Sequence, residues 1–169
     1  NSMYAVDAYV RDYFRKAALD ALLAEKLPVT VFGEGWEKYS CGDEHSLRRE
    51  PAVPFALSFE RIAKAHVLLN VSPIFNRGMH DRVPAGMANH AVVLTDENPY
   101  LRRTFTDGKE LLFYSLEKPD TLCEQTERAL TDVRLREKIA ASAYETFERE
   151  YTWKRRAEQI LAFAEEVEA

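Results

Sequence analysis

The sequence predicts an α/β domain with a parallel sheet of about five strands, helices on both faces and a helical C-terminus, on three observations. Four short apolar runs, Val29–Phe32, Val67–Val71, Ala91–Thr95 and Leu111–Tyr114, are strand-sized. Helical patterns or breakers separate them, the rhythm of parallel strands joined by crossovers. From Pro119 onward the chain reads as helix, broken at Thr131-Asp132. An antiparallel pairing among the four runs would contradict this reading.

Taken in order, Val6 to Glu25 is a helix, because Tyr9, Val10, Tyr13, Phe14, Ala17, Ala21 and Leu22 recur at three- and four-residue steps. Pro28 ends it, and the β-branched and aromatic Val29–Phe32 is a buried strand. Gly33-Glu34-Gly35 turns the chain at the carboxyl end of that strand. Residues 39–51 are polar and carry no readable pattern. Pro51 and Pro54 restrict the backbone, and Ser58 is the expected N-cap of a short helix, Phe59–Ala65. After the strand Val67–Val71, Asp81 is the expected cap of a helix over Arg82–Asn89, with Pro84 tolerated in its first turn. Asn98-Pro99 opens a short helix to Phe105, and Asp107-Gly108 turns into the last strand. Thr152 caps a final helix, Trp153–Val167.

A chain of 169 residues is one domain with room for a real core. Its 46% hydrophobic and 30% charged residues are those of a globular protein, and a net charge of −5 excludes nonspecific nucleic-acid binding, which needs a basic surface. The apolar runs are too short for a transmembrane segment. Cys41 and Cys123 lack metal-binding or redox spacing and read as reduced thiols, which suits a cytoplasmic location. Asn1-Ser2-Met3 reads as a cloning remnant, so the chain is expected to be a piece of a longer protein, its domain running over 4–169.

In parallel α/β sheets the ligand sits at the carboxyl ends of the strands. Asn70, Ser72, Asn76, Arg77, Gly78, His80 and Arg82 fall there, a basic and amide-rich group suited to an anion such as a diphosphate. Arg82 can fork onto phosphate oxygens; the alternative is a surface arginine paired with Asp81 or Glu97. His80 can donate to a phosphate or bond loop carbonyls. Asn70 is expected to pin the next loop through side-chain to backbone bonds. Gly78 serves a close ligand approach or a turn. Asp96, Glu97, Asn98 and Tyr100 follow the next strand, with capping by Asn98 and packing by Tyr100 as the alternatives to ligand contact. Gly33-Glu34-Gly35 lacks the third glycine of a dinucleotide fingerprint. No ligand spacing suggests a metal.

The ordered set LLNVSP (Leu68–Pro73), G-x-H-x-R-V (Gly78–Val83), VVLTD (Val92–Asp96), Tyr100-Leu101, DGKELLFY (Asp107–Tyr114) and the helical text of Ile139–Leu161, with VTVFGEGW opening at Val29, resembles the C-terminal donor-binding domain of GT-B fold, family-1-like glycosyltransferases of the CgeB type. The resemblance covers nearly the whole chain. It implies a Rossmann-like three-layer domain that binds a nucleoside diphosphate sugar as substrate, with no cofactor, and that works only with an N-terminal acceptor domain absent from these residues. It implies Arg82 and His80 as the residues acting on the leaving diphosphate, and Gly33, Gly35, Ser72, Asn76, Arg77, Gly78, Asn98 and Tyr100 as donor contacts. One departure stands out. Ala85 occupies the place where the family carries a glutamate for the donor ribose, and Asn89-His90 replaces a glycine near the same helix end. A non-catalytic interaction module on the same fold is therefore the alternative. An unrelated flavodoxin-like domain would need an acidic cluster and a lysine where this chain has the basic, amide-rich loop.

Overall fold

In the computed structural model, which describes residues 2–168, the chain forms α1 (Ser2–Ala24), β1 (Val29–Phe32), β2 (Leu47–Glu50), α2 (Phe55–Ile62), β3 (Val67–Asn70), α3 (Arg82–Ala88), β4 (Val92–Asp96), α4 (Pro99–Thr104), β5 (Leu112–Tyr114), α5 (Pro119–Thr131), α6 (Val133–Glu150) and α7 (Trp153–Glu168). Every strand pairing is parallel, as the apolar runs predict. The expectation of one sheet is corrected: β1 and β2 form a two-stranded sheet, and β3, β4 and β5 a separate three-stranded one. The partner of β1 is a strand the sequence hides. In β2, Leu-Arg-Arg-Glu, only Leu47 is buried, so its composition reads as loop while its backbone completes the ladder from Val29↔Leu47 to Phe32↔Glu50.

Side-chain alternation along β4 and β5 sorts the core into two layers. Val92, Leu94, Leu112 and Tyr114 point to one face, where they pack with Ala18 and Leu22 of α1 and Leu122 and Ala129 of α5. Val93, Leu111 and Phe113 point to the other, against Val83 and Met87 of α3, Leu101 of α4 and Ala143 of α6. This is the expected helix–sheet–helix arrangement. A third cluster joins Leu19 and Leu23 of α1 to Val31 and Leu47, beneath the small sheet. Neighbouring positions of one helix thus enter two different cores.

Two helix starts differ from expectation. α2 begins at Phe55 behind Pro54, whose φ of −52° and ψ of 145° deliver an extended chain into the first turn. Ser58 lies inside this helix and donates to the Phe55 carbonyl at 2.6 Å, so it caps nothing. At α3, Asp81 already has helical φ and ψ and its carboxylate makes no capping bond. Asn98, Asp132 and Thr152 do cap α4, α6 and α7, accepting from Leu101 N, Leu135 N and Arg155 N.

Candidate functional site

β3 and β4 end on polar residues that are buried and matched in register. Asn70 is the last residue of β3 and lies opposite Thr95, and neither has any solvent exposure. Buried polar atoms need partners, and this pair finds them in each other and in the loops beyond. Asn70 Nδ2 donates to Thr95 Oγ1 at 3.0 Å. Asn70 Oδ1 accepts from Ser72 Oγ at 3.2 Å and from Arg82 Nη1 at 3.0 Å. The Tyr114 hydroxyl of β5 donates to the Asn70 carbonyl at 3.1 Å. The side-chain to backbone bonds expected of Asn70 are replaced by bonds to side chains: its amide meets Thr95, Ser72 and Arg82, and its carbonyl meets the Tyr114 hydroxyl. Thr95 and Tyr114 belong to the same network, although strand composition alone gives no sign of it.

Arg82 is anchored through that single amide oxygen. Neither carboxylate expected to compete for it pairs with it: Glu97 pairs with Arg102 at 2.6 Å, and Asp81 lies against His80, its charge still bearing on Arg82. Among the described residues Arg82 has no ion-pair partner. Burial, and then the Arg15 cation, push its pKa below the usual arginine value, against the pull of the Asp81 carboxylate.

His80 Nδ1 accepts from the Arg82 backbone N–H at 3.2 Å and also touches the Asp81 carboxylate. These contacts demand opposite protonation states of one nitrogen. Burial first, and the Arg82 charge second, drive the imidazole pKa down, which favours the neutral ring with Nδ1 as acceptor. The ring proton then sits on Nε2, which becomes a hydrogen-bond donor. This bond also caps α3 in place of Asp81, so the helix end offers fewer free N–H groups than the sequence implies.

Asp96 closes β4 at only 3% exposure, and its Oδ1 accepts from Ser72 N at 2.7 Å. Burial pushes its carboxyl up to about 6, against the pull of that bond. Asn98 fastens the long β3–α3 loop from above: Nδ2 donates to the carbonyls of Phe75 at 2.6 Å and Gly78 at 3.2 Å, while Oδ1 caps α4. Asn98→Ala is expected to cost about 1–2 kcal/mol, a lost cap plus a loosened loop. Asn98→Asp, which keeps the cap but sets a buried carboxylate against both carbonyls, should cost more at neutral pH, and amide exchange at residues 75–78 should accelerate in both. A variant with wild-type melting and exchange would refute the fastening role.

Of the residues expected in the site, Ser72, Gly78, His80, Arg82 and Asn98 are therefore brought into one bonded group. Asn76 and Arg77 lie exposed on the same loop, without side-chain hydrogen bonds among the described residues. Gly78 has an ordinary φ, and open space surrounds the place of a Cβ, so no turn geometry requires glycine there. Tyr100 packs on the α3–α6 core cluster, and no bond ties it to Arg82. Gly33 and Gly35 end β1 with φ of +124° and +90°, values that explain glycine as turn chemistry, and they belong to the other sheet. Two clefts of about 380 and 390 Å³ lie around Asp20, Lys26 and Cys41 and around Lys64, His66 and Arg136; neither includes this group. No three His, Cys, Asp or Glu side chains converge as a metal site among the described residues, and no described helix is long and apolar enough to cross a membrane.

A buried amide–hydroxyl platform at the strand ends, an arginine without a carboxylate and a donor imidazole form an arrangement that can hold an anion. A family model described as glycosyl transferase-like matches residues 11–162. No curated protein matches the sequence at a significant level. Among solved structures, Anabaena HepE (Alr3699) in complex with UDP-glucose superposes with a TM-score of 0.70 at 12% identity, over 91% of this chain and 44% of its own. TarM gives 0.67 at 12% identity, over 89% and 31%. The C-terminal domain of a group 1 family glycosyl transferase (LpcC) from Francisella tularensis gives 0.62 at 12% identity, over 85% and 80%. At such identities the likeness is one of fold. The chain spans less than half the length of the Anabaena protein.

Proposed function

The chain belongs to the glycosyl transferase-like family, and from that premise we propose that it is the donor-binding, C-terminal half of a two-domain GT-B glycosyltransferase, taking a nucleoside diphosphate sugar and inactive without an acceptor-binding N-terminal half. Two comparisons support this reading: the Francisella domain, which is itself a C-terminal piece and is covered over most of its length, and the Anabaena protein, whose structure carries UDP-glucose.

The observation that carries the reading is Arg82, held at the carboxyl ends of β3 and β4 by Asn70 and without a carboxylate partner among the described residues. In sugar transfer the bond from the anomeric carbon to the diphosphate oxygen breaks, and its electron pair stays on that oxygen. Arg82 stabilises the charge that develops there, and His80 adds a hydrogen bond from Nε2–H. With its pKa depressed, His80 serves as a neutral donor at pH 7. The proton of the acceptor hydroxyl goes to a base on the other half.

Ala85 favours a second reading, a module that keeps the fold without turnover, because a methyl group cannot accept hydrogen bonds from a ribose diol. Titration calorimetry with UDP, ADP and GDP separates the two. Arg82→Ala is expected to weaken binding of the preferred nucleotide roughly ten- to a hundredfold with an unchanged melting temperature. Arg82→Lys should recover only part, since an ammonium cannot fork onto two oxygens. No heat with any nucleoside diphosphate would turn the assignment to the non-catalytic module.

A further inference from the structure

Two strand edges inside the molecule are open. In a parallel ladder, alternate residues send their N–H and C=O groups to opposite edges. Val29 N donates to Ser46 O and Gly33 N to Glu50 O, so these residues serve β2, while Thr30 and Phe32 face the other way. Val92 N donates to His66 O, so Val67 and Leu69 turn their backbone groups away from β4. Among the described residues these four meet no further strand; the Phe32 carbonyl alone finds a partner, the Trp36 indole at 3.3 Å. Val29 of β1 and Val67 and Leu69 of β3 nevertheless pack on one core cluster, so the two open edges border one gap. Hydrogen-bonded neighbours lie about 4.8 Å apart, whereas nearly all Cα pairs between β1 and β3 exceed 8 Å.

Edges that face solvent carry charges or prolines against unwanted pairing. β2 follows that rule with Arg48, Arg49 and Glu50. β1 and β3, Val-Thr-Val-Phe and Val-Leu-Leu-Asn, carry neither. β3 has the composition of a strand covered on both sides, yet Val67, Leu68 and Leu69 are only half-buried, beside a fully buried β4. Helix α1 identifies the absent neighbour. α2, α3 and α4 each join one strand to the next. α1 lies across both sheets, through Ala18 and Leu22 on one and Leu19 and Leu23 on the other, and leads into β1 with no strand ahead of it among the described residues.

We propose that the gap takes one further strand, supplied by a segment that leads into α1, parallel to β1 and β3 and apolar on both faces. That strand, α1 and β1 then form a right-handed crossover unit, and the two sheets become one, with the new strand between β1 and β3. The inference rests on the sheet edges alone and stands whether or not the strand-end site takes a nucleotide.

Amide hydrogen exchange on the 169-residue chain and on the full-length gene product tests it. In the shorter chain the amides of Thr30, Phe32, Val67 and Leu69 are expected to exchange faster than those of Leu68 and Asn70, which β4 holds. In the full-length protein the same four should slow roughly a hundredfold or more, because a central ladder opens only with the core. Thr30→Pro gives a second measurement. It removes an N–H that no strand accepts in the shorter chain, so melting there should change little, as proline is tolerated on an open edge. In the full-length protein it removes a ladder bond and should lower the melting temperature by several degrees. Equal effects in the two proteins overturn the inference. Protection of the four amides in the 169-residue monomer overturns it too, because β1 and β3 then close on each other. Protection that appears only in a concentration-dependent dimer makes a second copy the occupant and has the same force, as does a full-length protein that leaves the four amides open.

Discussion

Gly86→Ala is expected to destabilise the protein by about 2 kcal/mol, against the usual gain from replacing a helical glycine. Gly86 is buried in α3, where the helix lies directly on the sheet. A Cβ there would stand 2.3 Å from Val93 Cγ2 and 3.0 Å from Leu68 Cδ2. Leu68 can swing its terminal methyl aside. Val93 cannot yield as easily: it is fully buried, β-branched and stiff at χ1, so the helix must lift instead. Alanine in a helix interior is worth about 1 kcal/mol over glycine, and overpacking a tight core costs ~1–3 kcal/mol. The contact is closer than any relaxed pair, which puts this site at the upper end. The melting temperature should fall by roughly 4–8 °C. Lifting α3 also draws Arg82 from Asn70, so anion binding should weaken in parallel. Val93→Ala in the same chain removes the offending methyl, and the double variant should be less destabilised than the two single costs combined. Urea denaturation measures all three. A Gly86→Ala protein as stable as wild type would show that the sheet and helix are not in hard contact here.

Asp96→Asn is expected to stabilise the protein at neutral pH and to do nothing at pH 4. The folded-state pKa of Asp96 is about 6, raised by burial from an ordinary value of 3.8. A group whose pKa is raised on folding favours the native state below its unfolded pKa, and that contribution is lost as pH climbs through the folded pKa. For Asp96 the loss falls between about pH 4 and pH 6–7. A shift of about two units corresponds to up to ~3 kcal/mol. Asparagine keeps an oxygen for the Ser72 N–H and carries no charge to desolvate. Asp20 and Glu44, whose pKa values are lowered, titrate with the opposite slope, so the difference between variant and wild type is the quantity to follow. Melting temperatures from pH 4 to pH 8 should diverge by roughly 6–10 °C at the upper end. Parallel curves would mean that Asp96 titrates normally.

The parallel direction of the strands was legible because apolar runs of strand length separated by helical patterns are hard to mistake. What escaped was β2, for a definite physical reason. A strand covered on one side only at Leu47 has no need of apolar neighbours, and Arg49 uses its position to hold the adjoining turn, donating to the carbonyls of Trp36 and Tyr39 and to Glu44. The split into two sheets follows from that hidden partner. At the site, the polar positions were visible as a loop rich in Asn, His and Arg, and Asn98 announced its cap through the following proline. The geometry among them was not visible. That Asp81 yields the α3 cap to His80 depends on backbone angles at Asp81.

α1 inserts alternate pairs of side chains into two cores, Ala18 and Leu22 into one, Leu19 and Leu23 into the other. It therefore divides the molecule's resistance to unfolding unequally. The two-stranded sheet can peel from Leu19 and Leu23 while the larger core stays closed, whereas α1 cannot detach without breaching both. Amide protons of β1 and β2 should exchange through cheap local openings, and those of β4 only through global ones. The C-terminal half of α1 belongs to the slow class.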